Sequence, residues 1–544
     1  MGDSGTREDR IPRVLVLGGG FAAILLYKKL AGAIRRKELR VTIIDRNNFN
    51  CFHGLVPEVL TGKIHPTNIL NPLRTIFRRA EFRNGEIEKI DLERREVVFS
   101  RALDGKQFSI RYDHLVLDLG SDMNLSLFPG AAEHTFRLKW FADILQTRHH
   151  IITMLELADI EEDPVEMERL LNFVVAGANY AGVEVASELV ATLPEIARAR
   201  FPRIPRDKIR VTLVHSGEKV LPELGQTLPR LQQYADHLLG EYRHMRVARK
   251  CRLASATAEE AILNTGERIP TRTIIICTGT IPSPTLDLLP FERTANGRLL
   301  MDEFCRVKGQ TNVWGGGDCA AVPRRDGTPA PPLAIWALTT GAQIGKNIRR
   351  TLAGRALKPF RFTGLGDACT LGHKRAAAHM RGLPMRGVLG YYVWRSIVLL
   401  YLPSWEKKFR LLMDWTVGPL FGSDVINMNV NKPVGVAPVM YEPGQEIVRE
   451  GDVGQSLFII RSGEVEVQKR TENGTIETIA VLGPGQHFGE VAVFRRVRRT
   501  ATVRARTRVE LLHVRREVAL ALSESKADIA SSLSSSPGGR AEIS

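Results

Sequence analysis

The chain has 544 residues, 44% hydrophobic and 25% charged, with a formal net charge of +16. That length exceeds one ordinary core and implies about three or four domains, and the composition excludes a disordered or fibrous chain. The positive balance favours an anionic partner, either phosphate cofactors or acidic lipid; no DNA- or RNA-binding motif accompanies it, so nucleic acid is not expected.

Six cysteines, Cys51, Cys251, Cys277, Cys305, Cys319 and Cys369, form no short-spaced pair, which predicts reduced thiols and neither a disulfide framework nor a metal site. Residues Met1 to Arg13 are polar and charged, so no signal peptide is expected there. No uninterrupted apolar stretch reaches the ~18 residues of a membrane span.

In chain order, the first element is an apolar strand meeting small residues and then an apolar-periodic helix: Val14-Leu15-Val16-Leu17-Gly18-Gly19-Gly20-Phe21-Ala22-Ala23. This pattern aims backbone N–H groups and a helix N-terminus at a pyrophosphate. Gly18 permits the tight turn, Gly20 lets backbone approach the phosphates, and Ala23 allows close helix–strand packing. The next strand ends at Asp45, 22 residues beyond Ala23, placed to accept ribose hydroxyls.

Short strands are expected at Val97–Ser100 and Leu115–Leu119, and a helical stretch at 135–165. The strand–turn–helix–strand pattern then repeats over 172–216, with Phe173-Val174-Val175-Ala176-Gly177-Ala178-Asn179-Tyr180-Ala181-Gly182 as its turn and His215 closing its second strand. A strand Thr273–Cys277 leads to Gly279, and Val313-Trp314-Gly315-Gly316-Gly317-Asp318 returns to the first unit. Asp318, between a buried strand and a helix, is placed to hold a ribityl chain. Two dinucleotides on one chain imply that one donates hydride and the other, a flavin, accepts it.

The fold class is therefore α/β, with two nested Rossmann-like dinucleotide-binding domains and a C-terminal β jelly roll. The expected divisions are 11–167 with 295–385 for FAD, 168–294 for NAD(P)H, 386–422 for membrane association, 423–439 as linker, 440–525 as the barrel and 526–544 as a disordered tail.

Over about residues 11–421 the chain resembles the type II NADH dehydrogenases. The resemblance rests on Val41-Thr42-Ile43-Ile44-Asp45-Arg46-Asn47-Asn48, Val56-Pro57-Glu58-Val59-Leu60-Thr61-Gly62, Tyr112-Asp113-His114-Leu115-Val116, Leu138-Lys139 and Gly317-Asp318-Cys319-Ala320. It implies hydride transfer from NADH to FAD and onward to a membrane quinone. FAD would lie on Gly18, Gly20, Ala23, Asp45, Arg46 and Asp318, with Lys139 countering negative charge on the flavin. The nicotinamide cofactor would use Gly177, Asn179, Gly182, His215 and Gly279, and Glu184, in the first turn of its helix, would steady the nicotinamide or relay charge. No Cys-x-x-x-x-Cys lies near Cys51, which argues against a disulfide reductase; a sulfide-oxidising relative requires distant cysteines to meet beside the flavin.

The chain departs from this family at three places. Asn179 replaces the second glycine, and His215 stands where an acidic residue usually meets the ribose diol, so weakened NADH preference, tolerance of NADPH, or little use of either is expected. In the acceptor stretch, Ile335, Thr339 and Thr340 occupy glutamine positions, with Trp336 either stacking on a ring or packing in the core.

Residues 387–421 interleave tryptophan and tyrosine with bulky aliphatics and basic residues. They read as amphipathic helices in an anionic headgroup layer, peripheral on the cytoplasmic face of the inner membrane; the alternative is a core pair or homodimer interface. From 441 to 522, short alternating strands with glycine turns predict a small barrel. This part resembles the cyclic nucleotide-binding domains through Phe488-Gly489-Glu490-Val491-Ala492-Val493 and Arg499-Thr500-Ala501-Thr502-Val503. The resemblance implies cAMP or cGMP held by Gly489, Glu490, Arg499 and Thr500, beside a basic cluster of Arg495, Arg496 and Arg498. The leading reading is an FAD-dependent NADH:quinone oxidoreductase under cyclic-nucleotide control. The alternative is a cyclic-nucleotide-responsive or redox-sensing flavoprotein with little turnover.

Overall fold

The computed structural model describes residues 11–519 apart from 103, 125–126, 427–435, 452–455, 471–475, 495–496, 498 and 517. Within it the chain falls into two compact units: one runs to Val98 and resumes from Ser109 to Val430, and the other comprises Phe99–Phe108 and the residues from Asn431 onward.

The first unit is built on two five-stranded parallel sheets. One has the order Val313–Gly315, His114–Leu117, Arg13–Leu17, Arg40–Asp45, Glu81–Asn84. Its central strands are short apolar runs, and Val14 to Leu17 and Leu115 to Leu117 are wholly buried, as expected where helices cover both faces. The other has the order Phe136–Arg137, Thr273–Ile276, Asn172–Ala176, Arg210–Val214, Met245–Ala248. The nesting read from the sequence is present: the second sheet is completed before Val313–Gly315 rejoins the first. Phe136–Arg137 pairs with Ile275 and Ile276, so the inserted sheet draws on a strand that precedes residue 168. Ser121–Met123 and Thr280–Pro282, where the chain leaves and re-enters the first fold, pair antiparallel with each other.

Each phosphate turn opens a helix, α1 (Phe21–Arg35) in the first fold and α2 (Tyr180–Arg200) in the second. Helix α3 (Ala334–Leu352) packs on α1 through Gly341 and Gly345. A Cβ on Gly341 would penetrate the Ala22 carbonyl, so backbone meets backbone there. Two further helices, α4 (Gly387–Tyr401) and α5 (Trp405–Thr416), follow a small antiparallel sheet formed by Ala368–Thr370, Ala376–Met380 and Leu383–Arg386. No helix among the described residues is long and apolar enough to cross a membrane.

The C-terminal unit contains two four-stranded antiparallel sheets, Val436–Tyr441/Val509–Arg515/Ser456–Ser462/His487–Phe488 and Glu446–Val448/Thr502–Ala505/Val465–Arg470/Ile476–Leu482. Phe458 and Phe488 stack at 5.1 Å in a core shared with Ile460, Val465 and Leu511. The tail from 526, Arg495, Arg496 and Arg498, and most of the expected linker lie outside the described residues.

Candidate functional site

The first glycine turn is held open by its backbone. Gly18 has φ +100°, a left-handed value that favours glycine, and its N–H donates to Ile44 O at 2.8 Å. Asp45 accepts from Gly19 N at 2.6 Å through one oxygen and from Asn47 N at 2.7 Å through the other. Burial nevertheless holds its carboxyl above the usual range. Arg46 stacks its guanidinium 4.8 Å from the Trp140 ring centroid and lies 3.7 Å from Glu86. Ala23 is fully buried, consistent with the close packing expected of it.

Gly20 has a structural reason to lack a side chain besides the role the sequence implies. A Cβ at Gly20 would lie 2.7 Å from Asp118 Oδ2, so the side chain crowding this glycine is the protein's own. Asp118 follows the strand His114–Leu117 and accepts from Ala23 N, the third amide of α1, at 2.8 Å. Its significance was hidden in the sequence because nothing local marks a strand-end aspartate as the neighbour of a turn 98 residues earlier.

Asp318 and Lys139, read separately in the sequence, come together. Ser121 Oγ donates to Asp318 Oδ2 at 2.8 Å, Lys139 Nζ donates to Ser121 Oγ at 2.7 Å, and Lys139 Nζ lies 3.5 Å from Asp318 Oδ2. The first fold thus offers the Asp45 and Asp318 carboxylates with an ammonium beside the second, polar groups of the kind that FAD requires. At the phosphate turn there is one additional carboxyl, that of Asp118, which burial holds well above the ordinary carboxylate range.

The second turn repeats the geometry with a neutral group. Gly177 has φ +111° and its N–H donates to Val214 O at 2.9 Å. Asn179 caps α2: its Oδ1 accepts from Gly182 N at 3.0 Å and its Nδ2 donates to Cys277 O at 2.8 Å. Gly182 is required there, since a Cβ would run into the Gly177 carbonyl. Gly279 has φ +76°, and the Leu127 side chain fills the space its Cβ would take. His215 turns back into its own loop, with Nε2 2.6 Å from Lys219 O.

Glu184 is the fifth residue of α2, beyond its first turn, which holds no acidic residue; this corrects the placement expected above. The cause is the Asn179 cap, which starts the helix at Tyr180. Thr370 N donates to Glu184 Oε1 at 3.1 Å, and burial pushes the carboxyl up to about 8 despite help from Thr370 and the Trp394 indole.

On α3, Thr339 Oγ1 donates to Ile335 O at 2.9 Å and Thr340 Oγ1 to Trp336 O at 2.9 Å, so both hydroxyls are satisfied within the helix. Trp336 is buried against Phe362, 4.9 Å away, and Phe360, 6.3 Å away. Of the two roles open to it in the sequence, these contacts are those of core packing.

All six cysteines are free, and burial raises the Cys51, Cys277 and Cys319 thiols to about 12, which leaves them protonated. Among the described residues no group of three potential metal ligands occurs. A second buried cluster carried no signal in the sequence. Glu188 accepts from Thr61 Oγ1 at 2.9 Å and Thr192 Oγ1 at 2.8 Å, and pairs with Lys63 at 2.8 Å. Glu58 nearby is bound by Arg395 and Trp415.

In the barrel, Arg499 is buried and forks onto backbone, Nη1 to Gly489 O at 3.0 Å and Nη2 to Ser456 O at 2.7 Å. Gly489 has φ +89°. Glu490 opens the short helix Glu490–Phe494, and its buried Oε2 has no hydrogen-bond partner among the described residues. Thr500 is exposed.

The family model for pyridine nucleotide-disulphide oxidoreductases matches residues 12–341, and the cyclic nucleotide-binding domain model matches 438–526. The external alternative NADH-ubiquinone oxidoreductase of Yarrowia lipolytica is 26% identical over 476 residues, covering 76% of this chain and 80% of its own. The type II NADH:quinone oxidoreductase of Staphylococcus aureus is 25% identical over 388 residues, covering 70% and 92%. NDH2 from Plasmodium falciparum, solved in complex with NADH, superimposes with a TM-score of 0.69 over 77% of this chain and all of its own, at 15% identity. With both glycine turns, Asp45 and Asp318 inside the matched span, the chain belongs to the pyridine nucleotide-disulphide oxidoreductase family and carries a cyclic nucleotide-binding domain behind it.

Proposed function

We propose that this protein is an FAD-dependent NAD(P)H dehydrogenase of the type II kind, passing hydride from NADH to flavin and electrons to a quinone. The observation that carries the reading is the meeting of Asp318, Ser121 and Lys139 in the fold that also holds Asp45 and the first glycine turn. FAD, when bound, supplies the hydride-accepting chemistry; the protein supplies position and electrostatics. Asp45 would hold the adenosine ribose and Asp318 the ribityl chain, while Lys139 holds positive charge close to Asp318. Gly177, Asn179 and Gly182 would seat the nicotinamide cofactor. With no carboxylate at His215 to repel a 2′-phosphate, NADPH is accepted beside NADH. Turnover of NADH with a short-chain quinone tests the reading, and protein that takes up no FAD would end it.

The protein works at a lipid surface. Trp405, Leu420 and Phe421 are 77%, 81% and 75% exposed, and Leu389, Tyr392 and Leu400 of α4 are exposed as well. Unburied aromatic and aliphatic side chains at this density fit the acyl boundary of a membrane, and Lys408 and Arg410 supply basic groups for its phosphates. The barrel binds cAMP or cGMP and adjusts turnover, with the unpartnered Glu490 Oε2 as acceptor for a ribose hydroxyl. Heat of binding of each nucleotide to the full chain, compared with Glu490→Gln, tests this.

The rival, a flavoprotein whose role is redox sensing, is favoured by one observation. The amide donors expected beside a quinone are replaced by Ile335 and by hydroxyls already bound within α3. Negligible quinone reduction by flavin-loaded protein would select it.

A further inference from the structure

The two glycine turns solve the same problem with different charges. In each, the third amide of the helix is capped by a side-chain oxygen of this chain: Ala23 N by Asp118 Oδ2 at 2.8 Å, and Gly182 N by Asn179 Oδ1 at 3.0 Å. In the second turn the cap is a neutral amide carried by the N-cap residue itself. In the first, the N-cap is Gly20, and the space its side chain would occupy holds the carboxyl of Asp118 from the neighbouring strand. An ionised group there already uses the attraction that a helix N-terminus offers to phosphate, and it repels an incoming diphosphate.

The surroundings of Asp118 do not relieve that repulsion. Burial most of all, then Asp318 from the turn Gly317–Cys319 and Asp45 from the end of the strand Arg40–Asp45, raise its affinity for a proton, and the α1 amides oppose them. Lys139, the cation on this side, is engaged with Asp318 and Ser121. Cys319, also close by, remains a thiol. As a neutral acid, Asp118 can still accept from Ala23 N through one oxygen and donate from the other, which is what a phosphate oxygen requires.

We propose that Asp118 is a built-in competitor for phosphate in the first glycine turn, so that this chain binds FAD together with one proton. The proposal rests on the flavoprotein reading above. It makes flavin retention a function of pH through a residue outside the redox chemistry, and it predicts that the neutral cap of the second turn, transplanted as Asp118→Asn, removes the dependence.

The test is titration of flavin-stripped full chain with FAD, followed by quenching of flavin fluorescence, from pH 5.5 to 9. The wild type, Asp118→Asn and Asp118→Ala are compared, with circular dichroism to confirm folding. One bound proton means affinity falls by up to about tenfold per pH unit once free Asp118 ionises. The Asn variant should lose one proton from that slope, any remainder belonging to Asp45 and Asp318, and should bind FAD at least about tenfold more tightly at pH 8. Proton uptake in weak buffer should fall by one per FAD bound. Wild type and Asn variant binding FAD with superimposable pH profiles would overturn the proposal while leaving the flavoprotein intact, and so would a folded Asn variant that binds FAD more weakly. Failure of every form to bind FAD at any pH would instead remove the flavoprotein reading, and this proposal with it.

Discussion

Glu58 and Arg395, 337 positions apart in the chain, meet at 3.3 Å, the carboxylate buried and the guanidinium partly so, 4.1 Å from the Trp415 ring centroid. The other Glu58 oxygen takes the Trp415 indole N–H at 2.7 Å, and Arg395 also bonds the Tyr391 hydroxyl. One carboxylate therefore fastens both α4 and α5 to the segment Val56–Leu60 of the first fold. Burial still holds its carboxyl above the ordinary range, so desolvation outweighs the guanidinium.

Arg395→Ala should therefore cost roughly 3–5 kcal/mol of stability, because it strands a buried carboxylate. Glu58→Gln combined with Arg395→Met should recover most of that. Urea unfolding of Arg395→Ala, Arg395→Met, Glu58→Gln and the Glu58→Gln/Arg395→Met pair gives the coupling; equal losses in Arg395→Met and the pair would contradict this account.

Gly341→Val should prevent α3 from closing on α1, since even a Cβ meets the Ala22 carbonyl. Overpacking of this kind costs typically 1–3 kcal/mol, and with backbone as the obstacle the upper end applies. Ala22 lies in the first turn of α1, so FAD retention should fall along with the melting temperature. Gly354→Ala, in open space after α3 but at φ +64°, makes a control that strains the chain without this clash.

Glu184 supplies a pH signature. Its folded carboxyl titrates near 8 against an ordinary value of 4.5, so the folded state holds a proton that the unfolded state has released in between. Stability must then decline as pH rises from about 4.5 to about 8 and level off above, since protons bound preferentially to the folded form are lost. Glu184→Gln should flatten that decline. The variant should be more stable than wild type by about 2–4 kcal/mol at pH 8, the gap closing towards pH 4.5. Melting curves across this range decide it, and a constant offset would contradict it.

Leu420→Asp with Phe421→Asp should reduce binding to vesicles containing anionic lipid by at least about tenfold while leaving the melting temperature unchanged, because neither side chain is buried. Vesicle co-sedimentation checks this. A weaker effect of added salt on the variant than on wild type would show that the apolar and basic contributions act together.

Much of the first sheet was legible because its inner strands are short apolar runs that lead into glycine or aspartate. Gly18, Asp45 and the return at Gly317–Asp318 could be placed from spacing alone. What escaped depends on where one element begins or on pairs with no local trace. Glu184 falls in the first helical turn only if the glycine-rich turn runs on to Gly182, as its spacing suggests, whereas the Asn179 cap starts the helix at Tyr180. That Asp118 fills the side-chain space of Gly20 had no local trace, because the two lie 98 positions apart. Glu58 and Arg395 belong to segments whose periodicities are each complete without the other. The role of His215 rested on position, whereas its orientation is set by the Lys219 carbonyl, a contact within a loop that periodicity does not describe.

The chain crosses between its two parallel sheets at Ser121–Met123 and at Thr280–Pro282, and these crossings are zipped together, Ser121 opposite Pro282, Asp122 opposite Ile281 and Met123 opposite Thr280. Ser121 belongs to that pairing while also holding Asp318 and Lys139. The joint between the two lobes and the cluster around Asp318 therefore share one residue, so that a change at Ser121 bears on both.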